Sequence, residues 1–391
     1  MQKYEYCPIK INISQTNAAN PDIYLQKKCT MDFARKQSIS IDLLRFPLCI
    51  LVVLCHTKIL FGIPGVGLPV GSFQQGLQIF LCEVIPHIAV PAFVFFSGYL
   101  FFYNCSFDSS LFKRKFQSRA RGQLLPYVIW CTIGFIIAAS TGECAFSLKN
   151  FLWGFWDTRE WMDLPSHIGA AMPADMPLWF LRDLIMMTLL SPVIYYIIKK
   201  TGILLPVAAG IWWYSYWMPK ITGFSSDIVF FYIFGAYLAI KGVNFVEKTY
   251  KFRWFIYLTA AGLMIADFII VNGNFTSLGK LKYCWPVFNA FVFFGMFAAV
   301  QISASFASKT ERMNLKFWGG CSFFVYAVHF LYSPHLMKGL GYLWQPNSDL
   351  GFAAFFLVFA ALTLLIGVSI FWVMQKLMPM TCNVLIGGRL K

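Results

Sequence analysis

Charge is scarce in this chain, and negative charge scarcest. Only 13% of the 391 residues are Asp, Glu, Lys or Arg, and 17 carboxylates stand against 32 Lys and Arg. That is too little polar side chain to coat a soluble body of this length. No CxxC pair or ligand-spaced Cys/His set occurs among the 11 cysteines. They are scattered singly, several inside apolar runs (Cys49, Cys55, Cys131, Cys284, Cys321), which argues against a zinc site and a disulfide framework; no metal is expected. The chain has no HExxH, no GxSxG, no Walker loop and no strand–GxGxxG–helix unit, so the common hydrolase and nucleotide-binding chemistries have no motif here. No early segment follows the plan of a cleaved signal peptide, which leaves targeting to the first span. Internal repeats, low-complexity tracts and an appended soluble catalytic domain are also missing.

What is present is apolar. Hydrophobic residues make up 58% and aromatics 19%, and the mean hydropathy is +0.63. The class that follows is an all-α integral membrane protein. Ten runs are long enough to span, at about 39–62, 77–104, 123–142, 176–198, 202–218, 226–242, 253–271, 282–303, 315–337 and 351–376. The formal charge of +15 invites a nucleic-acid reading, but the basic residues lie mostly in loops on one side, as insertion requires. Lys199 and Lys200 mark one such loop, Lys241, Lys248, Lys251 and Arg253 a second, and Lys309, Arg312 and Lys316 a third. A bundle of about ten transmembrane helices with both termini cytoplasmic satisfies the bias at every loop. Residues 1–37 are polar and aperiodic and read as a mobile cytoplasmic leader, with Met31 an alternative start; residues 38–391 form one transmembrane domain.

The stretch Ser38–Gly62 carries three ionisable side chains where lipid would normally forbid them: Asp42, Arg45 and His56. Such groups cost a few kcal/mol each inside a span and mark functional sites by default. Arg45 and His56 return to within about 20° of one helix face, roughly 16 Å apart along the axis. One face therefore shows a guanidinium near one membrane surface and an imidazole near the other. Depth counted from the topology places Glu83, His87, Arg182, Asp183 and His329 at or outward of mid-membrane with His56. If they converge, they form a polar pocket open to the outside. Each also has a plainer reading. Glu83 and His87 suit a mutual pair, His329 a satisfied core histidine, Trp179 and Arg182 an interfacial anchor, and Asp183 the neutralising partner of Arg182.

Arg45 and Asp42 lie at the other end, facing the basic loop Ser106–Gln123 with Lys113, Arg114, Lys115, Arg119 and Arg121. A passage through the bundle would then have a cationic mouth suited to a phosphate-bearing molecule and an outer end able to move protons. By base rate, the same loop is simply positive-inside charge. The external stretch 143–176 clusters Trp153, Trp156 and Trp161, which suits an interfacial anchor; a sugar platform, with Asp157, Arg159 and Glu160 bonding hydroxyls, is the alternative. The glycine-rich 62–71 is an external loop, and Ser97–Gly98 reads as close helix packing.

The segment SIDLLRFPLCILVVLCH resembles the opening of the acyltransferase 3 family of bacterial membrane acyltransferases, in which an Arg, ten residues and a His mark the first span. VPAFVFFSGYLFF at 90–102, SRARGQLLPYVIW at 118–130, PLWFLRDLIMMTLLSPVIYYIIK at 177–199, CSFFVYAVH at 321–329 and IGGR at 386–389 are similar to further elements of that family, in order. The resemblance implies transfer of an acyl group, usually acetyl, from cytoplasmic acyl-CoA to a hydroxyl of a cell-surface or lipid-linked saccharide. The enzyme would be an acyltransferase moving groups other than aminoacyl groups, multi-pass in the bacterial inner membrane, with acyl-CoA as donor substrate and no permanently bound cofactor. It further implies His56 as the essential histidine with Arg45 its partner; the mechanism expected on that basis has His56 as base or covalent carrier and Arg182, or a nearby backbone donor, at the developing oxyanion. The coenzyme would dock at Arg45, Lys113, Arg114, Arg119 and Arg121, and Asp42, Glu83, His87, Trp179, Asp183 and His329 would support the acceptor. Membrane lipid and glycan-assembly proteins are the further partners expected; nucleic acid is not. The chain departs from the family pattern in lacking a tight Arg-x-x-Arg and in placing His87 where many relatives have Arg. It also lacks the SGNH hydrolase-like domain that some members carry. A saccharide exporter without chemistry is the rival reading, and the missing inverted repeat speaks against it.

Overall fold

A computed structural model describes residues 21–58, 72–104, 108–161, 171–215, 221–273, 281–307 and 314–389. Residues 1–20, the 62–71 glycine-rich segment, and Lys309 and Arg312 of the basic loops lie outside the described residues.

The chain is helical throughout the described residues, apart from an isolated bridge between Ile221 and Phe224. Helix α1 covers Pro21–His56, so helix begins within the stretch read as an aperiodic leader. Its inner part is held by Gln37, which donates to the Tyr99 hydroxyl at 3.0 Å and accepts from the Phe245 amide at 3.0 Å. The second span, Ser72–Phe102, is not one regular helix. It runs as α2 (Ser72–Gln78), a π-helical stretch Ile79–Val84, a 3-10 turn Ile85–Ile88, then α3 (Ala89–Phe102). Pro86 opens the 3-10 turn, because it cannot donate to the preceding carbonyls.

The basic loop expected over 106–123 is helical from Ser109 onward. Asp108 caps α4 (Ser109–Arg119) by accepting from the Ser110 amide at 3.2 Å, and a π turn at Ala120–Leu124 leads into α5 (Leu125–Ser140). Phe112 and Phe116, four residues apart, pack edge-on against Phe101 while Lys113 and Arg114 face outward. One-sided amphipathicity of this kind is a helix signal that the density of lysine and arginine hides.

After the short α6 (Leu148–Trp153) come α7 (Trp179–Leu189) and α8 (Ser191–Thr201), which meet at a 62° bend. Pro192 in the first turn of α8 removes a donor at that bend. Helices α9 (Leu204–Tyr214) and α10 (Ser226–Ile240) follow, then α11 (Phe245–Tyr250), α12 (Arg253–Asn272), α13 (Leu281–Phe306), α14 (Leu315–Leu343), α15 (Asp349–Leu377) and α16 (Pro379–Leu385). All ten expected runs overlap helices, but only six of the described helical segments are long and apolar enough to cross a membrane, or seven if the bent pair is one span. With 11 and 15 residues, α9 and α10 reach only about 16 and 22 Å, short of a roughly 30 Å hydrocarbon core. Helix α14 has 29 residues but includes Lys316, His329, His335 and Lys338.

Two crossings organise the bundle. Helices α3 and α10 meet at glycines: a Cβ on Gly98 would collide with the carbonyl of Tyr232, and one on Gly235 with the carbonyl of Phe95. Around this contact the core is aromatic, with the Phe95 ring against Phe96, Phe234, Phe245 and Phe297. The second crossing sets α1 on α14. Cys49 donates to the Ser322 carbonyl at 3.1 Å, and the Phe46 ring lies 4.5 Å from that of Trp318.

Candidate active site

The α1–α14 crossing fixes what α1 presents along its length. Near its C-terminal end the His56 ring lies 5.3 Å from that of His329, centroid to centroid, and 5.5 Å from that of Phe330. His329 is fully buried; its Nδ1 lies 2.8 Å from the Tyr326 carbonyl and 3.1 Å from that of Val325. A nitrogen facing two carbonyls must carry the proton. Nε2 is thereby left as a lone-pair acceptor, and it has no hydrogen-bond partner. His56 stays partly accessible. Sequence separation gives no hint that these two imidazoles meet; only the crossing does it.

Other expected members of the outer pocket are distributed differently. Glu83 forms an ion pair with Lys58, two residues beyond His56. Their side chains are about one-third exposed, at 31% and 29%. The His87 ring packs edge-on against Phe288, with centroids 4.8 Å apart, and its Nδ1 is buried with no partner. Glu83 and His87 therefore do not form a side-chain pair with one another. Arg182 donates from Nε to Asp183 at 2.9 Å, and its guanidinium donates to the carbonyls of Trp156 at 2.5 Å and Ala171 at 3.2 Å. Asp183 in turn accepts from the Ser225 amide at 3.0 Å and hydroxyl at 2.6 Å. This pair ties two connecting segments to α7, and none of its contacts is with His56 or His329. Trp179 lies edge-on to Phe180 at 6.4 Å.

The tryptophan-rich segment is internally braced. Arg182 lies over Trp156 at 5.3 Å, and the Trp161 indole donates to the Asn150 carbonyl at 2.8 Å. Arg159 pairs with Asp157 at 2.5 Å. Burial opposes the Asp157 charge, but the hydrogen bonds from Arg159 outweigh it and hold the carboxyl below its usual range.

About three turns back along α1 from His56, Arg45 pairs with Asp42 at 3.3 Å and lies beside Gly319 of α14. A Cβ on that glycine would stand 3.4 Å from the guanidinium. Among the cations expected at this mouth, Lys113, Arg114 and Arg121 are exposed. Arg119 is half-buried over Phe101 at 5.8 Å, and Lys115 donates to the Phe101 carbonyl.

Two residues escaped the sequence reading. Asp175 is fully buried with neither carboxylate oxygen partnered, and burial pushes its carboxyl well above the ordinary range. Arg389 was noted only as part of a motif, although its guanidinium lies over the Phe323 ring, 3.9 Å from the centroid, one turn of α14 along from Gly319. Neither position has a periodicity or spacing that sequence alone could assign to a site.

Helix α1 thus displays His56 beside the buried His329 at its C-terminal end and Arg45 about three turns earlier, inside an apolar helical bundle. Several of the described helices are long and apolar enough to cross a membrane, as a multi-pass membrane protein requires. The profile of the acyltransferase domain of the acyltransferase 3 family matches residues 38–372, and the chain belongs to that family. It is also 25% identical over 332 residues to the succinoglycan biosynthesis protein ExoH of Rhizobium meliloti (strain 1021), covering 80% of this chain and 82% of that protein. No solved structure shows significant similarity.

Proposed function

We propose that the protein is an inner-membrane O-acyltransferase that moves an acyl group, acetyl in the simplest case, from cytoplasmic acyl-CoA to a hydroxyl of a surface or lipid-linked polysaccharide. Family membership supports the reaction class, and the similarity to a succinoglycan biosynthesis protein favours a polysaccharide acceptor. The single observation that carries the reading is His56 set beside the buried His329, about three turns along α1 from Arg45.

In this reading the nucleotide end of the donor docks at the arginine mouth, which the loop-charge bias assigns to the cytoplasm. The pantetheine arm carries the thioester inward toward His56. His56 removes the proton from the acceptor hydroxyl as the oxygen attacks the thioester carbonyl. The C–S bond breaks, the ester C–O bond forms, and the proton passes from the imidazolium to the departing thiolate. His329, its Nδ1–H tied to backbone carbonyls, presents a fixed lone pair to that region and orients His56. Arg182, engaged with Asp183 and two carbonyls, serves to hold the outer segment.

The test is His56→Ala in protein that retains its thermal unfolding transition, with O-acyl groups of surface polysaccharide read by NMR. Loss of the O-acyl signal is the expected result, and an unchanged signal overturns the reading.

A further inference from the structure

The connection from α10 to α12 carries charge that the acyl-transfer reading leaves unused. Residues 241–253 hold Lys241, Lys248, Lys251 and Arg253 against a single carboxylate, Glu247. Lys241, Lys248 and Lys251 are exposed, and among the described residues none of the three has a carboxylate within ion-pair distance. Phe252, Trp254 and Phe255 are exposed in the same stretch. Helix α12 is long and apolar enough to span and begins at Arg253. This basic and aromatic rim therefore falls where a span meets the lipid headgroups.

Beside the rim is an apolar cleft of about 240 Å³. Phe234 and Leu238 of α10, Ile256 of α12, and Phe293 and Phe297 of α13 wall it, and α11 adds Phe245 and Lys248. The other polar residue there, Thr249, has its hydroxyl committed: it donates to the Phe245 carbonyl and accepts from Gln301, both at 2.6 Å. The exposed Lys248 is thus the group at the cleft left to meet a charge. The walls are held apart by their own packing. The Phe293 ring lies 5.9 Å from Phe234 and 5.2 Å from Phe297, and Phe95 packs against both Phe234 and Phe297. Helix α11 is fastened from two sides, with the Phe245 amide donating to Gln37 of α1 at 3.0 Å and Gln301 of α13 donating to the Val246 carbonyl at 2.8 Å. A preformed apolar space of this kind excludes water and takes apolar ligands. Cations at its edge match an anionic head on such a ligand, as basic pockets between membrane helices do.

We propose that this cleft seats one acyl chain of an anionic phospholipid, whose phosphate is held by Lys248 at the rim. The proposal does not rest on the acyl-transfer reading.

The experiment uses the full-length protein in an uncharged detergent, as wild type, Lys248→Gln and Leu238→Trp, with bound lipid counted by native mass spectrometry. Phosphatidylglycerol and phosphatidylcholine are the lipid probes, and glycerol 3-phosphate and palmitoyl-CoA the competitors. Unfolding transitions establish that each variant is folded; if Leu238→Trp is not, Leu238→Phe takes its place. The wild type binds phosphatidylglycerol more tightly than phosphatidylcholine. Lys248→Gln weakens phosphatidylglycerol by about 5-fold and leaves phosphatidylcholine unchanged, while filling the cleft at Leu238 weakens both. Equal affinity of the wild type for the two lipids overturns the proposal, as does phosphatidylglycerol binding that is unchanged in Lys248→Gln or in the folded Leu238 variant. Displacement by glycerol 3-phosphate would show a headgroup site without a chain, and displacement by palmitoyl-CoA at lower concentration than phosphatidylglycerol would assign the cleft to a different acyl carrier; either result overturns it too.

Discussion

His56 and His329 stand ring to ring at 5.3 Å across the α1–α14 crossing, with only His329 anchored through Nδ1 to main-chain carbonyls. The two nitrogens of His329 therefore have separable jobs, and amide substitutions divide them. His329→Asn keeps a donor near the carbonyls but removes the Nε2 lone pair; His329→Gln approximates the reverse. If the lone pair orients His56, His329→Asn loses about 10- to 100-fold in turnover, the range seen when a group that orients a reacting ligand is removed. His329→Gln retains more, and the pH–rate profile moves in the Asn variant. Equal losses in both, with an unmoved profile, would show a packing role only.

The Arg182–Asp183 pair is nearly inaccessible, with side-chain exposures of 5% and 0%. Removing one partner leaves the other charge buried. Arg182→Met is expected to lower stability by about 3–5 kcal/mol, measured as the unfolding transition in detergent. It also releases the carbonyls of Trp156 and Ala171, so proteolysis in the outer segment accelerates. A transition within 1 °C of wild type would mean that the latch bears no strain.

Asp157 supplies a pH dependence whose sign is fixed by Arg159. Its carboxyl is held below the unfolded value of about 3.9, so the stabilisation is complete above that value and fades as pH falls through the lower folded one. Asp157→Asn removes this dependence. The tryptophan fluorescence of the wild type is expected to change below about pH 4, and that of Asp157→Asn to stay flat over the same interval. Identical titrations would refute the assignment.

Gly98 and Gly235 admit no side chain at the α3–α10 contact. Gly98→Ala is expected to cost at least the 1–3 kcal/mol or so typical of overpacking, because the obstructing atom is a backbone oxygen that cannot rotate away. Folded yield after membrane extraction measures it. A wild-type yield would show that the two helices can move apart freely.

Composition and run length revealed the apolar bundle because lipid imposes one rule on every segment. They overstated what each run can do. Leu204–Tyr214 and Ser226–Ile240 read as spans, yet they are short helices; most of the second is buried, while the first leaves Leu204, Val207, Ile211 and Tyr214 exposed. The helix at Ser109–Arg119 was legible from Phe112 and Phe116, but its lysines and arginines drew the reading toward a loop. Within the site, Arg45 and His56 are visible because one helix carries both. The meeting of His56 with His329 is a tertiary fact, as are the Glu83–Lys58 pair and the seating of Arg389 on Phe323. Depth counting set Arg182 level with His56, but depth says nothing of azimuth, and Arg182 spends its donors on the outer segment.

The glycine seam between α3 and α10 also limits how the molecule can breathe. Backbone wedged on backbone leaves no side chain to swing aside, so these two rods travel as one keel. Any widening of the bundle must come from joints sealed by rotatable groups. The α1–α14 joint, which carries both imidazoles, is closed by a thiol and two aromatic rings.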